Sequence, residues 1–106
     1  MKSYDFTLWL LAKVERFPRS HRFTVGDRLA TESLQLLEDL LSASYGRERL
    51  PSLDRAQHRL NLLRFLLRLA KDLRLFTVES YGFACDGVDE MGRMAGGWRR
   101  SVGTKA

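Results

Sequence analysis

Apolar residues recur along this chain at helical rather than strand spacing, in four separate runs. In the first, Phe6, Leu10, Val14 and Phe17 fall three or four residues apart, and Tyr4, Leu8 and Leu11 form a second stripe opposite them. This predicts a helix from about residue 2 to 16, ended by Pro18, because the residue before a proline resists the α region and proline itself has no N–H. Ser20 or Thr24 is placed to cap a second helix over about 21–45, with Asp27 well sited in its first turn. That helix presents Leu29, Leu36, Leu37, Leu40 and Leu41 on one broad face. Gly46 closes it, since glycine takes the left-handed conformation at low cost. After a short basic connection from Arg47 to Pro51, Ser52 and Asp54 open a third helix over about 52–74. Phe76 and Thr77 fall in the next link. The fourth helix starts near Ser80, runs to about 100, and repeats Ala84, Val88, Met91, Ala95 and Trp98 as a narrow coiled-coil-like seam. Residues 102–106 read as a flexible tail. Four helices with short links predict an all-α fold, an up-down-up-down four-helix bundle over residues 1–101.

The third helix carries more apolar surface than a bundle needs. On a wheel of 100° per residue with Arg64 at zero, Ala56, Leu60, Leu63, Leu67 and Ala70 fall between about 240° and 320°. Leu62, Phe65, Leu66, Leu69 and Leu73 fall between about 100° and 200°. Gln57, Asn61, Arg64, Arg68, Lys71 and Asp72 share the remaining strip. A bundle helix normally shows one apolar stripe a little over ~100° wide. Leaving the second set in water would forgo ~1.5–3 kcal/mol for each large side chain. Together with the double stripe of the first helix, this predicts a homo-oligomer or partner interface over Leu8, Leu11, Leu62, Phe65, Leu66, Leu69 and Leu73. A thick core wrapped around the third helix is the competing expectation.

Composition supports helix: the chain is rich in Leu, Ala, Arg and Glu, and its two prolines stand at 18 and 51. With 44% apolar and 29% charged residues among 106, it reads as one folded soluble domain. No apolar run approaches the ~18–20 residues that span a bilayer, so no membrane association is expected. The N-terminal stretch lacks the apolar core of a secretory signal. The single cysteine, Cys85, forbids an intramolecular disulfide and favours a cytoplasmic setting.

The net charge of +5 is unevenly spread: residues 1–22 carry +3, 23–46 carry −3, 47–76 carry +5, and 77–106 balance. Fourteen of the eighteen cations are arginine, which forks onto phosphate or carboxylate oxygens. Arg64, Arg68 and Lys71 line one helical face for about two turns, with Arg74 close by, a row suited to tracking phosphates. Pairing with Glu32, Glu38 and Asp39 of the acidic second helix is the alternative use of that row. Arg16, Arg19, His21 and Arg22 form a second cluster between Phe17 and Phe23. Arginine with interleaved aromatics binds single strands by backbone contact and stacking, although aromatics so placed more often staple helix ends.

Three segments together resemble a known family: Phe17-Pro18-Arg19-Ser20-His21-Arg22-Phe23, the run from Ala56-Gln57-His58 to Arg68-Leu69, and Asp89-Glu90-Met91-Gly92-Arg93-Met94-Ala95-Gly96-Gly97-Trp98. In order and over nearly the whole chain, they are similar to the Avd four-helix bundles, the accessory variability proteins of diversity-generating retroelements. Related bundles are encoded in intervening sequences of bacterial large-subunit ribosomal RNA genes, and this second branch is not separated by the residues. The resemblance implies a ring-like homopentamer that binds RNA or DNA largely without reading sequence. It also implies a reverse transcriptase partner and a role in error-prone copying during mutagenic retrohoming. By position, Arg19, His21 and Arg22 match the family's basic first connection, and Arg64 and Arg68 its Arg-Phe-x-x-Arg element. Five copies at +5 each would carry +25, a field that binds polyanions with a steep salt dependence.

No enzyme is expected. His21 and His58 lack metal-ligand spacing with Cys85, so no metal or cofactor is expected. Asp86, Asp89 and Glu90 read as a solvated, Arg-paired face, and Cys85 beside Ala84 as a small buried hydrophobe. Ser80-Tyr81-Gly82 and Gly96-Gly97 match no nucleophile elbow or phosphate loop. The runner-up function, from another class, is a structural oligomer that binds an acidic protein surface.

Overall fold

The computed structural model describes residues 1–46 and 48–105, apart from the side chains of 103–105, so part of the predicted 47–51 connection (Arg47) and Ala106 lie outside the described residues. Four long helices fill it: α1 (Lys2–Glu15), α2 (Asp27–Tyr45), α3 (Arg49–Asp72) and α4 (Val78–Lys105). No strand occurs among the described residues. They form a rod of 47 × 21 × 20 Å. Helix α2 packs on α1 and α3, and α4 packs on the same two, so α1 and α3 stand at diagonal corners.

The core follows the stripes read from periodicity except on α2, where Leu41 is exposed and Leu37 only half-buried because the face turned to the core is narrower than the leucine run. Phe6, Leu10, Val14 and Phe17 meet Leu29, Leu36 and Leu40, then Leu53, Ala56, Leu60, Leu63, Leu67 and Ala70, and the seam Ala84, Val88, Met91 and Ala95. Trp98 at the end of that seam is only half-buried against it. At one end of the rod, Phe76 lies edge-on to Phe17, centroids 5.4 Å apart, and near-parallel to Trp9 at 6.2 Å. Burial of these rings contributes more than any single polar contact at that end.

Helix ends differ from the reading by residue type. Neither Ser20 nor Thr24 caps α2. Pro18 precedes a single helical turn, Arg19–His21, and a π-helical turn, Arg22–Gly26, then leads into α2. The Thr24 hydroxyl donates backward to the His21 carbonyl at 3.3 Å, and no side chain caps the start of α2. Helix α3 begins at Arg49, not Ser52, and takes Pro51 into its first turn, where the missing N–H has no intrahelical partner to lose. Thr77 caps α4, its Oγ1 accepting from the Ser80 N–H at 3.0 Å. The backbone of α4 stays helical to Lys105, past the start of the expected tail.

Gly46 closes α2 in an extended conformation, φ −89° and ψ 172°, not a left-handed one. Glycine is needed there for a different reason, since a Cβ would lie 2.5 Å from the Ser42 carbonyl oxygen. Among the described residues the left-handed one is Arg74, φ 64°. Its N–H reaches the Lys71 carbonyl at 2.9 Å, and the Leu75 N–H reaches the Ala70 carbonyl at 2.9 Å. That is a Schellman closure with arginine where glycine is usual.

Candidate nucleic-acid interface

Two arginines that sequence periodicity left unremarked hold α3 against α2. Arg59 Nη1 donates to Glu32 at 2.9 Å and its Nε to Asp39 at 2.7 Å, while Arg55 Nε reaches the other Asp39 oxygen at 3.3 Å. Glu32 and Asp39 are 8% and 5% exposed, so these charges meet largely out of water. Burial opposes the Arg59 charge, but the hydrogen bonds to Asp39 and Glu32 outweigh it and hold its guanidinium above the usual range. The acidic second helix is therefore matched by Arg55 and Arg59, not by the Arg64, Arg68 and Lys71 row. The signal was present in the sequence, as Arg55 and Arg59 stand at i, i+4 and Glu32 and Asp39 at i, i+7. Helical spacing alone does not say which rows face each other.

The row itself faces α4. Arg64 donates to Asp89 Oδ1 at 3.3 Å from Nη2 and to Asn61 Oδ1 at 2.8 Å from Nη1, which makes it a half-exposed bridging group. Arg68 is exposed and approaches Asp72 at 3.9 Å, one turn along its own helix. An exposed i, i+4 pair of that length is worth little and yields readily to a better anion. Lys71 sits over the Tyr81 ring at 5.1 Å, and Arg74 is exposed at the helix end. The Cys85 side chain, then desolvation, holds the Tyr81 phenol above its usual range, so the ring is neutral under ordinary conditions. Cys85 is half-buried in that contact, not the fully buried hydrophobe expected.

The second basic cluster separates by role. Phe17 is buried and staples the corner, whereas Phe23 is exposed. Arg22 turns inward, Nη2 donating to the Phe17 carbonyl at 3.3 Å and Nε buried without a partner. His21 is half-buried, and Arg16 and Arg19 are exposed. The Phe17–Phe76 contact brings this corner beside the end of α3, so Arg16 and Arg19 share one end of the rod with Lys71 and Arg74. More than fifty residues separate the two groups in sequence.

Two apolar faces are left in water. On α3, Phe65 is 70% exposed, Leu69 46% and Leu73 39%, with Leu62 half-buried and Leu66 packed on the rim of the core. On the diagonal corner, Tyr4, Leu8 and Leu11 of α1 join Leu34 and Leu37 of α2 around a shallow groove of about 190 Å³, with Leu8 61% exposed. The bundle's own helices do not wrap the outer stripe of α3.

Two acids of α4 pair outward, Asp89 with Arg64 and Glu90 with Lys2, so of the face expected to be arginine-paired only Asp89 meets an arginine among the described residues. Among the described residues, no group of three or more His, Cys, Asp or Glu side chains is disposed to hold a metal ion. No described helix is long and apolar enough to cross a membrane.

No curated protein and no solved structure matches the chain. A family model described as bAvd-like does, over residues 1–102. That span takes in the basic corner, the α2–α3 ion network, the cationic row and the seam of α4, and on this match the chain belongs to the bAvd-like family.

Proposed function

We propose that this bundle works without catalysis, as an oligomeric nucleic-acid-binding accessory of a reverse transcriptase in the mutagenic retrohoming of diversity-generating retroelements. The observation that carries the reading is one end of the rod, which exposed Arg16, Arg19, Lys71 and Arg74 share, with Arg68 one turn further along α3. Guanidinium and ammonium groups held along α3 from Arg64 to Lys71, about 10 Å by the rise of seven helical residues, follow a phosphate backbone without reading its bases. Membership in an accessory, non-catalytic family supports the same reading.

Assembly follows from the two bare apolar faces. They lie at diagonal corners and differ in shape, a ridge on α3 and a groove between α1 and α2, so copies join head to tail, and such contacts close into a ring when the rotation allows. A ring of five is what the Avd likeness implies, and it multiplies the positive field. Reverse transcriptase docks on that assembly in the cytoplasm.

Fluorescence anisotropy with labelled single-stranded RNA and DNA at low salt tests the binding role. Arg68→Ala/Lys71→Ala should weaken binding to all sequences alike and flatten the salt dependence by roughly two phosphate contacts. Absence of binding by the unaltered protein discards the role. Capture of an acidic protein that survives nuclease and the double substitution favours the structural-oligomer alternative. For assembly, sedimentation should show a species well above the 12.3 kDa chain. Leu69→Asp and Leu8→Asp, one on each face, should each break it.

A further inference from the structure

Phe65 is at the edge of the apolar stripe of α3, not in its middle, and its ring turns toward the cations. With Asn61, Arg64 and Arg68 of the same helix and Tyr81 of α4, it walls an open cleft of about 420 Å³, a volume that holds one small planar group. Resting on the nucleic-acid reading above, we propose that this cleft takes one unstacked base of a single-stranded RNA or DNA. The base lies against the Phe65 or Tyr81 ring and the adjoining phosphate lies on Arg68.

Each wall fits that occupant. An aromatic ring 70% exposed between two arginines has a free face for stacking, and every base has a π-face to offer it. The Tyr81 face is already occupied by a cation, Lys71 at 5.1 Å, which an arriving strand would draw onto a phosphate while a base replaces it. The Tyr81 phenol, held neutral, adds no negative charge of its own, and Asp89 and Asp72 beside the cleft already lie against Arg64 and Arg68. Asn61 accepts from Arg64 through its oxygen and keeps amide N–H groups as donors toward a base edge. A duplex keeps its bases stacked and paired, so it presents no ring face to a cleft recessed between two helices. It would engage only the phosphate contacts. The site therefore adds single-strand preference to a field that by itself is indifferent to strandedness.

The test compares the full chain with Phe65→Leu and Tyr81→Leu, which keep apolar bulk and remove the rings. Anisotropy at low salt would use a 12-nucleotide oligothymidine, its ribo-uridine equivalent and a 12-base-pair duplex. The variant that removes the ring carrying the base should lose roughly 5- to 150-fold in single-strand affinity, the range seen for loss of one stacked base. Duplex affinity should stay within about twofold, against a uniform loss for Arg68→Ala/Lys71→Ala. A 2-aminopurine placed within the oligonucleotide should have its emission changed by the native protein and less so by Phe65→Leu. Circular dichroism and sedimentation confirm that each variant folds and assembles as the native chain does. Single-strand affinity unchanged in both ring variants, or falling in step with duplex affinity, overturns the cleft and leaves the electrostatic role standing. A Phe65→Leu protein that only changes its assembly returns Phe65 to the oligomer face and overturns it too. No binding of any nucleic acid by the native protein removes both readings.

Discussion

Replacing Arg59 with methionine keeps most of the side-chain volume and deletes the guanidinium that bridges Glu32 and Asp39. Two nearly buried carboxylates are then left one helical face apart, with Arg28 reaching Glu32 at 3.5 Å and Arg55 reaching Asp39 at 3.3 Å. Removing one partner of a buried pair costs about 3–5 kcal/mol. Arg59 is a quarter exposed and two other arginines remain, so the expected loss falls below that range, about 2–3 kcal/mol. For a domain of this size that lowers the melting midpoint by about 10–20 °C, measured at fixed protein concentration because assembly contributes to apparent stability.

The pH dependence has a definite sign. Arg59 is held above its ordinary range, so its contribution is complete at every pH below that range and is lost only in strong alkali. The native network therefore does not titrate at Arg59 between pH 5 and 9. The triple variant Glu32→Leu/Asp39→Leu/Arg59→Met should recover most of the loss, because a packed apolar cluster replaces the ion network without a desolvation cost. Chemical denaturation across pH reads all of this. A cost below about 0.5 kcal/mol would refute the reasoning and place the network in the class of screened surface pairs. The folded variant should bind nucleic acid as the native protein does, which separates structural arginines from binding ones.

Arg74→Gly should raise stability by about 0.5–1 kcal/mol, because glycine occupies a left-handed Schellman position without the Cβ penalty, and the same change should weaken nucleic-acid binding through the lost cation. Denaturant midpoints and anisotropy on one preparation check both directions; a destabilised variant would contradict the strain argument. Gly87→Ala would place a Cβ 2.8 Å from Phe6 Cδ2 where α1 meets α4, and a cost of about 1–3 kcal/mol is expected from overpacking, read as a lowered midpoint that Phe6→Leu in the same chain partly restores.

Periodicity alone determined the four helices, their core stripes and the excess apolar face of α3, because each of these is a property of one helix and its own 3.6-residue repeat. The fully buried Leu60, Leu63 and Leu67 and the exposed Phe65 and Leu69 were separable on a wheel before any partner was known. Residue type misled where ends depend on local geometry. Gly46 is required by close approach, not by φ, and the left-handed conformation expected there is found instead at Arg74, past the end of α3. What faces what was decided only by tertiary structure. The charge totals showed a basic third helix and an acidic second one, but only the rotation of α3 in the bundle commits Arg55 and Arg59 to Glu32 and Asp39 and turns Arg64 and Arg68 toward α4. Likewise, nothing in the order of residues puts the Arg16–Arg22 corner beside Arg74. Burial of Phe17 against Phe76 does that, since two rings far apart in sequence lose less to water together than apart.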